Sequence, residues 1–153
     1  MEYKVAILIG SINDKSIIEK STPYFEYFKI KHEIHVLSAH RNPNSVSDFS
    51  KNARDNGYSV IIGSAGMAAH LAGVIKAHTT LPVIGVPLPG GMMDGLDSLL
   101  ATVQMPRGVP VATMSVGASG AINAAILCAE ILSINDENIC LLLSKFKSNG
   151  AKL

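Results

Sequence analysis

The stretch KVAILIGSIND, residues 4–14, carries the reading of the fold. From Lys4 to Ile9 it is an apolar run too continuous for a half-exposed strand and too short for a helix. Such a run reads as a strand buried on both faces, the kind that parallel sheets use. Gly10 to Asp14 then form a Gly-Ser turn. Apolar residues at helical spacing follow from Ser16 to Ile30 (Ile17, Ile18, Tyr24, Phe28), with Pro23 marking either a kink or the true helix start.

The same alternation continues outward from this unit. His32 to Leu37 reads as a second strand, and Asn42-Pro43 as the N-cap and first-turn proline of a helix ending near Gly57. Ser59 to Ile62 is a third strand, Ala68 to Ala77 a helix, and Pro82 to Val86 a fourth strand. A Pro/Gly/Met loop from Pro87 to Asp94 leads to a short helix, Leu96 to Val103. Val111 to Met114 is a fifth strand, Gly117 to Gly120 a turn, and Ala121 to Leu132 a long helix. Asp136 opens a last helix with Ile139, Leu142, Leu143 and Phe146 on one face. Strand–helix repetition with near-continuous apolar strands predicts a parallel sheet covered on both sides. The expectation is a flavodoxin-like, doubly wound three-layer α/β/α sandwich with a five-stranded parallel sheet. It forms one domain over residues 1–153, whose C-terminal helix (about 136–148) packs in an oligomer.

Composition narrows the function. The chain has 153 residues, 48% hydrophobic and only 16% charged, which excludes a disordered or charged binding tail. So much apolar surface on a small protein predicts burial between subunits, hence a homo-oligomer. The net charge is +1, with no Lys/Arg cluster, no Trp and few aromatics, which argues against nucleic acid. No apolar run is long enough to span a membrane, and nothing before the first strand resembles a signal peptide, so the expected location is cytoplasmic. Cys128 and Cys140 lack CxxC spacing and read as structural thiols.

In open parallel sheets, ligands bind beyond the carboxyl ends of the strands. Four loops at that edge carry the unusual residues: Gly10-Ser11 to Asp14, Ser38-Ala39-His40-Arg41, Gly66 to His70, and Pro87 to Gly95. The Gly10-Ser11 turn offers backbone N–H groups and a hydroxyl to an anion, or is an ordinary βα turn. Arg41, beside the Asn42 cap, suits a phosphate, or is a surface cation. Asp14 could accept from ribose hydroxyls or cap the first helix. His40 and His70 are the candidate acid/base groups, set among small residues that let a substrate approach closely. His32, His35 and His78 lie on a strand or a helix end and read as structural. No Gly-Lys-Ser/Thr, GxGxxG, GxSxG, HExxH or spaced Cys/His set is present, so the site suits a phosphate monoester and a reaction with neither metal nor organic cofactor.

At these residues the chain resembles the PurE family, specifically the class I 5-(carboxyamino)imidazole ribonucleotide mutases. The matching segments are Gly10-Ser11 with Asp14, Ser38-Ala39-His40-Arg41-x-Pro43, and Gly66-x-Ala68-Ala69-His70-Leu71. Gly95-x-Asp97-Ser98-Leu99, Gln104-Met105-Pro106-Arg107-Gly108 and Asn123-Ala124-Ala125 follow in order, and together they cover about residues 5–132. The resemblance implies a cofactor-free homo-octamer that moves a carboxylate from the exocyclic nitrogen of a ribonucleotide monophosphate to carbon four of its imidazole. It implies His40 as general acid/base and His70 as a group that positions. It gives the ribose phosphate to Ser11, Asp14 and Arg41, with Ser38 and Ala39 shaping that wall. Gly66, Ala68, Ala69, His70 and Leu71 then enclose the imidazole and CO2. The chain has Met67 where the family commonly has Gly, Ala72 where it has Pro, and Asn13 where Ser is common.

Two rival readings follow from the same fold. CO2-dependent aminoimidazole ribonucleotide carboxylases of the family resemble SAHK at residues 38–41 and lack the Gly-x-Ala-Ala-His stretch, so Arg41 and His70 favour the mutase. A non-catalytic nucleotide or flavin module would need aromatics that this chain barely has.

Overall fold

The computed structural model describes residues 2–153. Strand β1 spans Lys4–Ile9, as the apolar run predicts. Strands β2 (Lys31–Val36), β3 (Tyr58–Ala65), β4 (Val83–Pro87) and β5 (Ala112–Thr113) complete a parallel sheet of order β2-β1-β3-β4-β5. β5 is a two-residue edge strand, and only Ile84–Ala112 and Gly85–Thr113 pair across it. The expected flavodoxin-like α/β fold is the one observed.

Side chains of successive strand residues point to opposite faces, so β1 feeds two cores. Val5, Ile7 and Ile9 pack beneath helices α1 (Lys15–Ile18), α2 (Thr22–Tyr27), α6 (Ala118–Ser133) and α7 (Glu137–Ser148). Ala6 and Leu8 pack beneath α3 (Pro43–Asn52) and α4 (Leu71–His78). Helix α5 (Leu96–Val103) lies over Gly85 on this second face, where a β-carbon on Gly85 would stand 2.4 Å from Thr102. Each fully buried Leu or Ile contributes roughly 1.5–3 kcal/mol, which is why this double-sided pattern dominates the fold.

Several local expectations are corrected. The helical stretch expected over residues 16–30 is two short α segments separated by a 3-10 turn, Glu19–Ser21. Pro23 sits in the first turn of the second, as its reading as a helix start expected. Pro23 has no N–H for the Glu19 carbonyl, which accepts from Thr22 instead, so the turn tightens. Helix α3 ends at Asn52, short of Gly57, and β3 runs three residues beyond Ile62 to Ala65. Helix α4 begins at Leu71 and not Ala68, because Ala69 N–H donates to Met67 O and His70 N–H to Ala68 O, tight-turn bonds that a helix does not make. Asp136 caps α7 as expected, accepting from the backbone N–H groups of Asn138 and Ile139. The apolar face of α7 packs on this chain's own core, with Ile139, Leu143 and Phe146 buried and Leu141 left exposed.

Candidate active site

The chain winds in opposite directions from β1 and β3, and a cleft of about 410 Å³ opens at their carboxyl ends. Its walls come from all four loops marked in the sequence. Ser11 and Asp14 follow β1; Ser38, Ala39, His40 and Arg41 follow β2; Gly66, Ala68, His70 and Leu71 surround the entry to α4. Ala69 is the exception among the expected residues. It is buried and contributes no wall. Pro89, Gly90 and Gly91 also line the cleft, as do Gly10, Ala65 and Met67. Their Pro-Gly-Gly signal marked a loop at this edge but gave no reason to assign it a side of the site.

The loop after β2 is organised by one hydroxyl. Ser38 Oγ accepts from the backbone N–H groups of His40 (3.3 Å) and Arg41 (3.2 Å), which leaves its O–H free to donate. Asn42 occupies the N-cap position of α3 but makes no side-chain cap. Its Oδ1 accepts from Ser38 N–H instead, so it closes the loop and does not serve the helix. Held this way, His40 meets His70 across the cleft, with Nε2 and Nδ1 2.8 Å apart and the rings edge-on at 84°. One proton must lie between the two nitrogens, so each ring dictates the other's tautomer.

The loop after β1 offers less to an anion than its sequence suggests. Gly10 N–H donates to Ser64 O, and Asn13 N–H to Ser11 Oγ, so both are already used. What remains includes the Ser11 hydroxyl hydrogen and the Ile12 N–H, which has no acceptor among the described residues. Asp14 makes no side-chain helix cap, and it lines the cleft. Burial raises its carboxyl above the ordinary carboxylate range, and a backbone hydrogen bond from Ser11 offsets part of that. Arg41 is exposed and, among the described residues, has no ion-pair partner, so its charge is available to a ligand.

His32 and His35 have partners away from the cleft. His32 stacks on Phe25 (centroids 4.7 Å apart), and burial lowers its pKa, keeping the imidazole neutral against the core. His35 bonds Tyr58 Oη at 3.1 Å in a cluster with Glu33 and Lys4, at some remove from the cleft. No cluster of three His, Cys, Asp or Glu residues suited to a metal occurs among the described residues. Cys128 is fully buried, which pushes its thiol pKa far up, and it lies outside the cleft.

The family model "AIR carboxylase" matches residues 4–152 of this chain. N5-carboxyaminoimidazole ribonucleotide mutase of Escherichia coli K12 is 46% identical over 136 residues, 89% of this chain and 80% of that protein. The proteins of the same name from Haemophilus influenzae and Bacillus subtilis are 42% and 44% identical. They cover 98% and 97% of this chain, and 92% of their own lengths in both cases. The crystal structure of Treponema denticola PurE superposes with a TM-score of 0.88 at 26% identity, covering 98% of this chain and 92% of that one. A match over nearly the whole length, on a chain whose marked loops converge at one cleft, leaves one assignment: this chain belongs to the AIR carboxylase family.

Proposed function

We propose that this chain is an N5-carboxyaminoimidazole ribonucleotide mutase, an isomerase of purine biosynthesis. The observation that carries the reading is the His40–His70 pair, 2.8 Å apart in a cleft rich in Gly, Ala and Ser. Relatives of that name at 42–46% identity support it. None of them bears the name of the rival carboxylase, and no observation favours a flavin module.

The chemistry needs one proton moved twice. His40 protonates the exocyclic nitrogen as its bond to the carboxylate carbon breaks, releasing CO2 and the neutral amine. Carbon four of the imidazole then attacks CO2, and His40 takes the proton that carbon four must lose. Bonds and charge balance within the substrate, so no second reactant enters. His70 holds the His40 ring and its tautomer through the shared proton. Ala65, Gly66 and Ala68 let the imidazole lie close against the backbone, excluding the water that would hydrate CO2. Arg41, Ser11 and Asp14 hold the ribose phosphate end, where the raised Asp14 pKa reflects a partly dehydrated wall.

The test is conversion of N5-carboxyaminoimidazole ribonucleotide to the carbon-four isomer without ATP, with aminoimidazole ribonucleotide plus bicarbonate as the control. Conversion of the first supports the mutase. Activity only with the control at high CO2 would assign the carboxylase. In the same assay Arg41→Ala raises KM by roughly a hundredfold while changing kcat far less, because a charge-assisted contact to a non-reacting phosphate holds ground and transition states alike. A change confined to kcat would remove Arg41 from the phosphate.

A cytoplasmic homo-octamer, with the whole chain as one catalytic domain, completes the proposal. Leu96, Leu100 and Val103 form an exposed apolar stripe at i, i+4 and i+7 on α5, which supports burial against other subunits. No helix among the described residues is long and apolar enough to cross a membrane.

A further inference from the structure

We propose that Asp97 is a positioning residue of the carboxylate transfer, holding residues 90–92 as a wall of the cleft through the Met92 backbone N–H. The inference rests on the mutase reading and deepens it.

The wall is an unusual piece of chain. Gly90, Gly91, Met93, Asp94 and Gly95 all have positive φ, from 50° to 106°, and two of them carry side chains that disfavour it. Met92 and Met93 are exposed, so apolar packing does not hold the segment. Its two ends are tied by buried Ser98, whose Oγ donates to Leu88 O (2.7 Å) and Gly95 O (2.9 Å). Between those ends, Asp97 is the one side chain from outside the loop with a hydrogen bond to it among the described residues. Its Oδ2 accepts from Met92 N–H at 2.9 Å, while Oδ1 accepts from Ser98 N–H at 2.8 Å in the first turn of α5. Each carboxylate oxygen therefore has its own task, one in the helix and one in the wall.

Gly91 shows how closely the wall is seated. A β-carbon there would lie 2.6 Å from Asp97 Oδ2 and 3.1 Å from Met67 Cγ. The main chain at Gly91 thus packs close against both Asp97 and the loop after β3, and Gly90 and Gly91 face the cleft. Once the nitrogen–carbon bond breaks, free CO2 is held only by the walls. A wall that drifts lets it escape, and the turnover ends as aminoimidazole ribonucleotide and bicarbonate.

Asp97→Ala, Gly91→Ala and the double variant test this, each compared with wild type at matched folded fraction by thermal melting. Asp97→Ala should lower kcat about tenfold or more with KM within about threefold, since the phosphate anchors are elsewhere. It should also raise the fraction of substrate that ends as uncarboxylated ribonucleotide. Gly91→Ala should show the same signature from the other side, and the double variant should be no worse than the worse single one. Hydrogen exchange at Met92 N–H should accelerate in Asp97→Ala. A folded Asp97→Ala with unchanged kcat and no by-product, or with only a lowered Tm, would overturn the proposal, as would unchanged exchange at Met92. Failure of wild type to convert the substrate would overturn the mutase reading, while the exchange result would still decide the geometry.

Discussion

His40→Asn lowers kcat for carboxylate migration by about a thousandfold, within the span that general acid–base catalysis supplies, while ribonucleotide affinity stays within a few-fold. Asn keeps the size of the ring's inner half but ends short of the Nε2 that meets His70 Nδ1, and the loop survives because Ser38 Oγ still holds the backbone of residues 40 and 41. What is lost is a group able to give and then take a proton near neutral pH. Kinetics with isothermal titration of the substrate or product separate the two effects. His70→Asn should be the milder change, about tenfold, since in this mechanism His70 orients the ring that reacts. Equal losses at both positions would make the pair itself the acid/base, and activity retained without His40 would move the proton transfer to His70.

The second large effect is on stability and has the opposite sign from what local propensity suggests. Gly120 lies in the first turn of α6, where Ala is ordinarily better than Gly by about 1 kcal/mol. A β-carbon at Gly120, however, would stand 1.8 Å from the Ser115 carbonyl oxygen and 3.3 Å from Val86. The obstruction is backbone, so no rotamer change relieves it, and Ser115 belongs to the turn that joins β5 to α6. Overpacking of this kind costs on the order of 3 kcal/mol and exceeds the propensity gain. Gly120→Ala should lower Tm by about 10 °C at this chain length. An unchanged or raised Tm would mean that the turn at Ser115 yields freely.

Secondary structure followed closely from local pattern wherever burial on two faces leaves no choice. β1 matches its apolar run residue for residue, and Asp136 caps α7 because its neighbours place two free N–H groups within reach. The edge of the sheet that holds the site was also legible, since a parallel α/β alternation puts every βα loop at one end. His40, Arg41, Asp14 and Ser11 could be picked out there because charged and hydroxyl groups are conspicuous among Gly and Ala. The Asn42 side chain was misread because a cap and a loop closure use the same Asn at the same spacing, and only the position of Ser38 N–H distinguishes them.

The sequence by itself thus determined the sheet, the helix layers, and which loops carry the chemistry, because periodicity and short-range hydrogen bonding act within a few residues. The tertiary structure decided what those loops do to one another. His40 and His70 are thirty residues apart in the chain and share a proton only because β2 and β3 flank β1 in one sheet and bring their loops together. Ala69 is buried and lines no wall, while Gly90 and Gly91 line the cleft from a segment with left-handed backbone at residues 90, 91 and 93–95. Side-chain direction at such positions depends on one or two backbone angles, and contacts between loops far apart in sequence set those angles.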